Sequence, residues 1–298
     1  MASPLLFDRN LFRARLRRAG RAPDRSALFL QDAVIEDMID RLALVNRTFK
    51  TAVDLSGWHA NLCDGLRQRS IAQNTLRLAP FMGFGSPDAV IDDEILPLRH
   101  AGVDLIVSAL NLQFANDLPG ILAQARRALR PDGLFMAALV GGESLQELRI
   151  CLAEAEAQTA GGLSPRVHPF AEIRDLGTLL QRAGFALPVT DRDRFTVRYP
   201  AMPDLIRDLR LMGAGNMLRD RDTRRPPRAL FSRAAALYAE KFADPDGKIR
   251  ATFDIIWLSG WAPHESQQQP LKPGSAKARL AEALGTEEIT VNSDDSEN

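Results

Sequence analysis

The residues best suited to hold a small polar ligand fall between Asp54 and Ser108. Asp54 closes the apolar run "TAVDL" (51–55), Asp92, Asp93 and Glu94 close "AVID" (89–92), and Ser108 lies in "VDLIVSAL" (103–110). Carboxylates in such places accept hydrogen bonds from hydroxyl and amino groups. The backbone beside Asp54 and Leu55 is where a nucleotide-binding domain turns tightly from strand to helix, a turn that ordinarily needs glycines. Here it reads Ser56, Gly57, Trp58, His59 and Ala60. A side chain held at positive φ costs on the order of 1 kcal/mol, so this sequence implies a remodelled turn.

Other chemistries find less support. The four histidines, His59, His100, His168 and His264, lack metal-ligand spacing. An iron site drawn from His168, His264 and Glu265 is the weaker alternative to His264 as a loop residue bonding to nearby backbone. His59 is expected to be exposed or at a cleft edge. Neither a G-x-S-x-G elbow nor a Walker loop occurs. Cys151 lies in an apolar helix and reads as structural, while Cys63 sits near the altered turn. The loop "RDRDTRRPPR" (219–228) has no aromatic residues for stacking on nucleic acid, so a protein partner or a solvated turn fits it better.

These residues need a scaffold, and the pattern supplies one. Phe12, Leu16 and Ala19 mark one side of a basic N-terminal helix ending near Gly20. It is read either as a cover over the ligand cleft or as a surface for an anionic membrane or acidic partner. Ile35, Met38, Ile39, Leu42 and Val45 define a second helix. Apolar runs at 51–55, 75–79, 89–92, 103–110 and 133–140 alternate with helices or loops. That alternation implies an α/β, doubly wound fold around a mostly parallel sheet. "FALPVT" and "RFTVRYP" read as two strand-like runs, 201–246 as a helical insert or cap, and "ATFDIIWLSGW" as the last strand.

The run "DDEILPL…VDLIVSALNLQFANDLPGILAQARRALRPDGLFMAALVGGESLQELR" (92–149) resembles the second half of a class I S-adenosylmethionine-dependent methyltransferase domain. It is most similar to the branch of the malonyl-carrier-protein methyltransferase of biotin synthesis. Within that branch it most resembles the mitochondrial respiratory complex I assembly factor and its bacterial relatives. "GGLSPRVHPF", "LGTLLQRAGF", "LMGAGN" and "GWAPHESQQQPLKPGSA" extend the likeness over most of the chain. The resemblance implies a seven-stranded, Rossmann-like sheet and S-adenosylmethionine as cofactor, held by Asp54, Leu55, Ser56, Gly57, Asp92, Asp93 and Ser108. Against that cofactor, Ser56, Trp58 and Ala60 stand at the family's three glycine positions. Ala79 or Pro80 stands where the family places an acid for the ribose. No catalytic residue and no metal ligand is assigned. The resemblance further implies a protein substrate or complex I subunit, modified by methyl transfer or arginine hydroxylation. Two other readings stay open: a non-catalytic assembly factor or chaperone that has lost the cofactor, and a carrier-protein or small-molecule methyltransferase.

The 298 residues carry 38 Lys and Arg against 38 Asp and Glu, which gives no general attraction to nucleic acid. Two cysteines form no disulfide framework, so the expected compartment is the bacterial cytoplasm, with peripheral membrane proximity, ahead of the mitochondrial matrix. The expected divisions are an N-terminal helical segment (1–46), the methyltransferase-like domain (47–284) and a disordered acidic tail (285–298). The sequence does not fix the oligomeric state.

Overall fold

The computed structural model describes residues 5–21, 24–57, 59–82, 86–160, 162–268 and 285–286. Trp58 and nearly all of the expected acidic tail lie outside the described residues. Residues 1–263 form one compact unit and 264–298 a second.

In the first unit, helices α1 (Arg9–Arg21) and α2 (Phe29–Ala43) precede β1 (Phe49–Asp54), α3 (Asn61–Gln68), β2 (Ala72–Ala79) and β3 (Ala89–Val90). Then come β4 (Val103–Ala109), α4 (Leu118–Ala128), β5 (Leu129–Gly141), α5 (Gln146–Ala160) and α6 (Ile173–Arg182). The unit closes with β6 (Ala186–Tyr199), α7 (Met202–Leu211), α8 (Arg228–Phe242) and β7 (Ile249–Trp261). The seven strands lie in the order β3-β2-β1-β4-β5-β7-β6, and β7 alone runs against the rest.

The two-residue period of a strand sorts its side chains to opposite faces. Leu134, Met136 and Ala138 of β5 join Phe253, Ile255 and Trp257 of β7 in a core beneath α2, α3, α5, α7 and α8. The alternate residues Phe135, Ala137 and Leu139 join Ile256 and Leu258 under α4 and α6. Both faces are therefore apolar, as a sheet covered on both sides requires.

The two runs expected after α6 form one 14-residue strand, β6. Its polar middle is that of an edge strand. Arg41 bridges Asp191 at 3.0 Å and Asp193 at 2.7 Å, and Trp257 Nε1 donates to Asp193 at 2.7 Å. Such charges also discourage pairing with another chain at the open edge.

Asp8 starts α1. Its carboxylate accepts the Leu11 N–H at 3.0 Å, and that bond, the largest of several influences, holds it below the usual range. The helix buries Phe12, Leu16 and Ala19 in a third cluster with Phe81, Phe114 and Met217. A bridge between Phe7 and Leu218 ties its start to the segment after α7. Among the described residues, no helix is long and apolar enough to cross a membrane.

Candidate cofactor cleft and substrate cavity

The carboxyl ends of β1, β2 and β4 are where a doubly wound sheet opens to ligands. Asp54 ends β1 fully buried, accepting the Ser56 N–H at 2.7 Å. Burial pushes its carboxyl up to about 6 despite the Ser56 hydrogen bonds and the nearby Arg77 charge. Leu55 N–H donates to Val107 O at 2.8 Å, and Ser56 Oγ accepts the Ala109 N–H at 2.8 Å, so the turn is laced to β4. Gly57 has φ +87°, and a Cβ there would stand 3.4 Å from Pro80 Cδ. The turn thus keeps glycine at a left-handed position. Ser108 is fully buried within β4, its Oγ without a hydrogen-bond partner among the described residues. Only Leu110, of the three residues 108–110, reaches the cavity described below.

Across the same edge, Asp92 and Asp93 are taken up by α1. Arg9 pairs with Asp93 and approaches Glu94 at 3.6 Å, while Arg13 meets Asp92 at 2.7 Å. Burial raises the Asp93 carboxyl, and the Arg9 charge works against that rise. For Asp92 burial pulls upward, but the Glu94 N–H and Arg13 hold it below the usual range. Asn111 Nδ2 donates to Asp93 at 3.3 Å, and Arg9 Nη1 donates to Phe114 O at 2.9 Å. Phe12 packs against Phe114 with ring centroids 5.2 Å apart. Helix α1 is therefore a roof, anchored by charge on one side and aromatic packing on the other.

In this state several polar groups of the cleft are already engaged. Asp54 and Ser56 are buried and bonded to neighbouring backbone, and Asp93 is ion-paired. Ala79 at the end of β2, followed by Pro80, offers no side-chain acceptor for ribose hydroxyls.

Beside the roofed cleft lies a cavity of about 610 Å³. Leu110 and Asn111 after β4, Leu145 and Leu148 of the β5–α5 turn and helix, and Phe253 of β7 give it an apolar wall. His168 forms another part of it. This ring is buried against Phe7 at 5.4 Å, Phe114 at 5.5 Å and Phe170 at 6.3 Å between centroids. Its Nε2 accepts the Met217 N–H at 3.2 Å. Burial, with the Arg15 charge second, lowers its pKa to about 4, so the ring is neutral. The size suits a small-molecule or side-chain ligand.

The family described as "Methyltransferase domain" matches residues 60–137. The mitochondrial arginine-hydroxylase NDUFAF5 of Danio rerio is 36% identical over 292 residues, covering 93% of this chain and 89% of its own. The malonyl-[acyl-carrier protein] O-methyltransferase of Xylella fastidiosa (strain M23) is 33% identical over 271 residues, 87% of this chain and 89% of its own. The chain belongs to this methyltransferase family. The solved YcgJ protein of Bacillus subtilis shares the fold with a TM-score of 0.52 at 11% identity, over 78% of this chain and 99% of that one.

Both curated relatives are named as enzymes. In this member of the family the two thiols are quiet. Cys63 Sγ lies 3.8 Å from Asp54 Oδ2, and burial, then the Asp54 charge, pushes it up to about 12. Burial pushes Cys151 up to about 11. His59 is buried rather than exposed, with Nε2 3.1 Å from Asp32 Oδ1. His264 is a loop residue whose Nδ1 accepts the Ser266 N–H at 3.2 Å. Among the described residues, no three His, Cys, Asp or Glu side chains gather to hold a metal.

Sequence reasoning missed the arginines around the cavity. They arrive from α1, from the segment between α5 and α6, from the end of α7 and from the 219–225 loop, far apart in the chain. The available signals were "LMGAGN" and the Arg-rich loop, which no periodicity connects.

Proposed function

We propose that this chain is a modifying enzyme of the methyltransferase family that acts on a protein subunit during assembly of respiratory complex I, with the target group entering the cavity beside β4 and β5. The cavity carries this reading. It is open at the place where the fold presents an acceptor, next to the residues after β4. S-adenosylmethionine is the cofactor that the family match suggests. Its entry requires Arg9 and Arg13 to leave Asp93 and Asp92, since those pairs now close the adenine side. We place the protein in the cytoplasm, near the membrane that holds such a complex.

A second reading, a non-catalytic assembly factor, is favoured by one observation: the end of β2, Ala79 followed by Pro80, supplies no acid for the ribose. Peptide mass spectrometry of complex I subunits from cells with and without this protein separates the two. A peptide that loses one methylene when the protein is absent supports methyl transfer, and one that loses an oxygen atom supports hydroxylation. Unchanged peptides with failed assembly support the second reading. Unchanged peptides with normal assembly overturn both.

A further inference from the structure

The cavity carries a charge imbalance that the fold corrects only in part, pairing Arg166 with Glu156 at 2.5 Å and Arg221 with Asp8 at 3.4 Å. Seven arginines and one acid, Asp222, line it. Asp222 is already engaged by Arg224 at 3.0 Å. Arg15 on α1 is the centre of the imbalance. Burial lowers its pKa, the Arg221, Arg18 and Arg210 charges lower it further, and the Asp8 charge works against them. Asp8 is itself shared with Arg221 at 3.4 Å.

Arg15 Nη1 is buried and has no hydrogen-bond partner among the described residues. A Cβ built on Gly215 would stand 2.7 Å from that nitrogen, so the bare backbone of "MGAGN" is what gives the guanidinium its room. A charged donor without an acceptor is costly to bury, and like charges gathered around it add to the cost. An anion with two oxygens relieves both at once, because the guanidinium fork matches carboxylate and phosphate geometry.

We propose that Arg15, Arg18, Arg210 and Arg221 form an oxyanion-binding site at this cavity, which takes a carboxylate or phosphate group borne on an apolar stem. The stem is accommodated by the wall of Leu110, Leu145, Leu148 and Phe253. As a statement about which substrate is accepted, this rests on the cavity being the acceptor site. As a statement about binding it stands without that reading, and the test below uses neither cofactor nor turnover.

The full chain is titrated with inorganic phosphate and, separately, with glutarate at fixed ionic strength, following Tm and calorimetric Kd. Both anions, or either one, are expected to raise Tm. A response to phosphate alone identifies a phosphoryl source, and a response to glutarate alone a carboxylate source. Arg15→Gln is expected to raise Tm without anion, by removing the unpartnered charge, and to weaken binding by about tenfold or more. Arg210→Gln, at an exposed position, is expected to weaken binding while leaving the fold intact, which keeps the test valid should Arg15→Gln fail to fold. Arg174→Gln on α6, outside the cavity, is the control and should bind as the native chain does. The proposal is overturned if neither anion raises Tm, or if Arg210→Gln binds as tightly as Arg174→Gln.

Discussion

The cleft at the ends of β1 and β2 and the cavity beside β4 and β5 lie on the same edge of one sheet, yet they handle charge in opposite ways. In the cleft, Asp92 and Asp93 each meet an arginine of α1, and Phe12 of the same helix packs against Phe114. In the cavity, Arg15 finds no acceptor among the described residues. One region has paired its carboxylates with arginines and closed; the other leaves the buried Arg15 Nη1 without an acceptor among the described residues. Helix α1 supplies both sets. Arg9 and Arg13 point one way along it and Arg15 another, so a motion of α1 would alter both regions together.

The comparison can be broken first at the roof. Phe12 is fully buried in the cluster that holds α1 down. Phe12→Ala is expected to cost roughly 3–5 kcal/mol in denaturant unfolding, and a loss below about 1 kcal/mol would show that the roof is not packed. Arg9→Ala comes next. It strands the buried Asp93 carboxylate, an expected cost of roughly 3 kcal/mol that Arg9→Ala/Asp93→Asn should largely recover.

The two regions should also respond to pH with opposite signs. The Asp54 carboxyl is raised to about 6 from 3.8, so the folded state binds the extra proton and this group's contribution to stability falls as pH rises from about 4 to 6. His168 is lowered to about 4 from 6.5, so the unfolded state binds the extra proton and stability is lost as pH falls from about 6.5 to 4. In the native chain the two trends offset each other. Asp54→Asn should expose the acid-side loss, and His168→Gln the opposite slope, each on the order of 2–3 kcal/mol across the window by urea midpoints. Parallel slopes in the two variants would refute the assignment. The smallest effect is expected from Ser56→Gly, which removes the acceptor for the Ala109 N–H at a cost of about 1 kcal/mol.

Much of the scaffold was legible because strand and helix periods survive in the chain: "VDLIVSAL" and "GLFMAALV" became β4 and most of β5. Strand β6 was read as two pieces because Asp191 to Arg194 are solvated at the edge, where burial imposes no apolar pattern. The side of α1 that packs, Phe12, Leu16 and Ala19, was visible at helical spacing. What α1 covers was not, since Arg9 and Asp93 are 84 residues apart and nothing in either segment encodes the other. His59 illustrates the same limit: its partner Asp32 stands on α2, in a segment that nothing in "SGWHA" encodes. The arginine cluster is the extreme case, a site made by three segments with no shared motif.

The central claim is that α1 closes the cofactor cleft through Arg9 and Arg13. Calorimetric titration with S-adenosylmethionine of the native chain and of Arg9→Ala/Arg13→Ala tests it directly. The closed-cleft account predicts weak binding to the native chain and binding tighter by about tenfold or more once the two arginines are gone. Tight binding by the native chain, unchanged in the double variant, would contradict it.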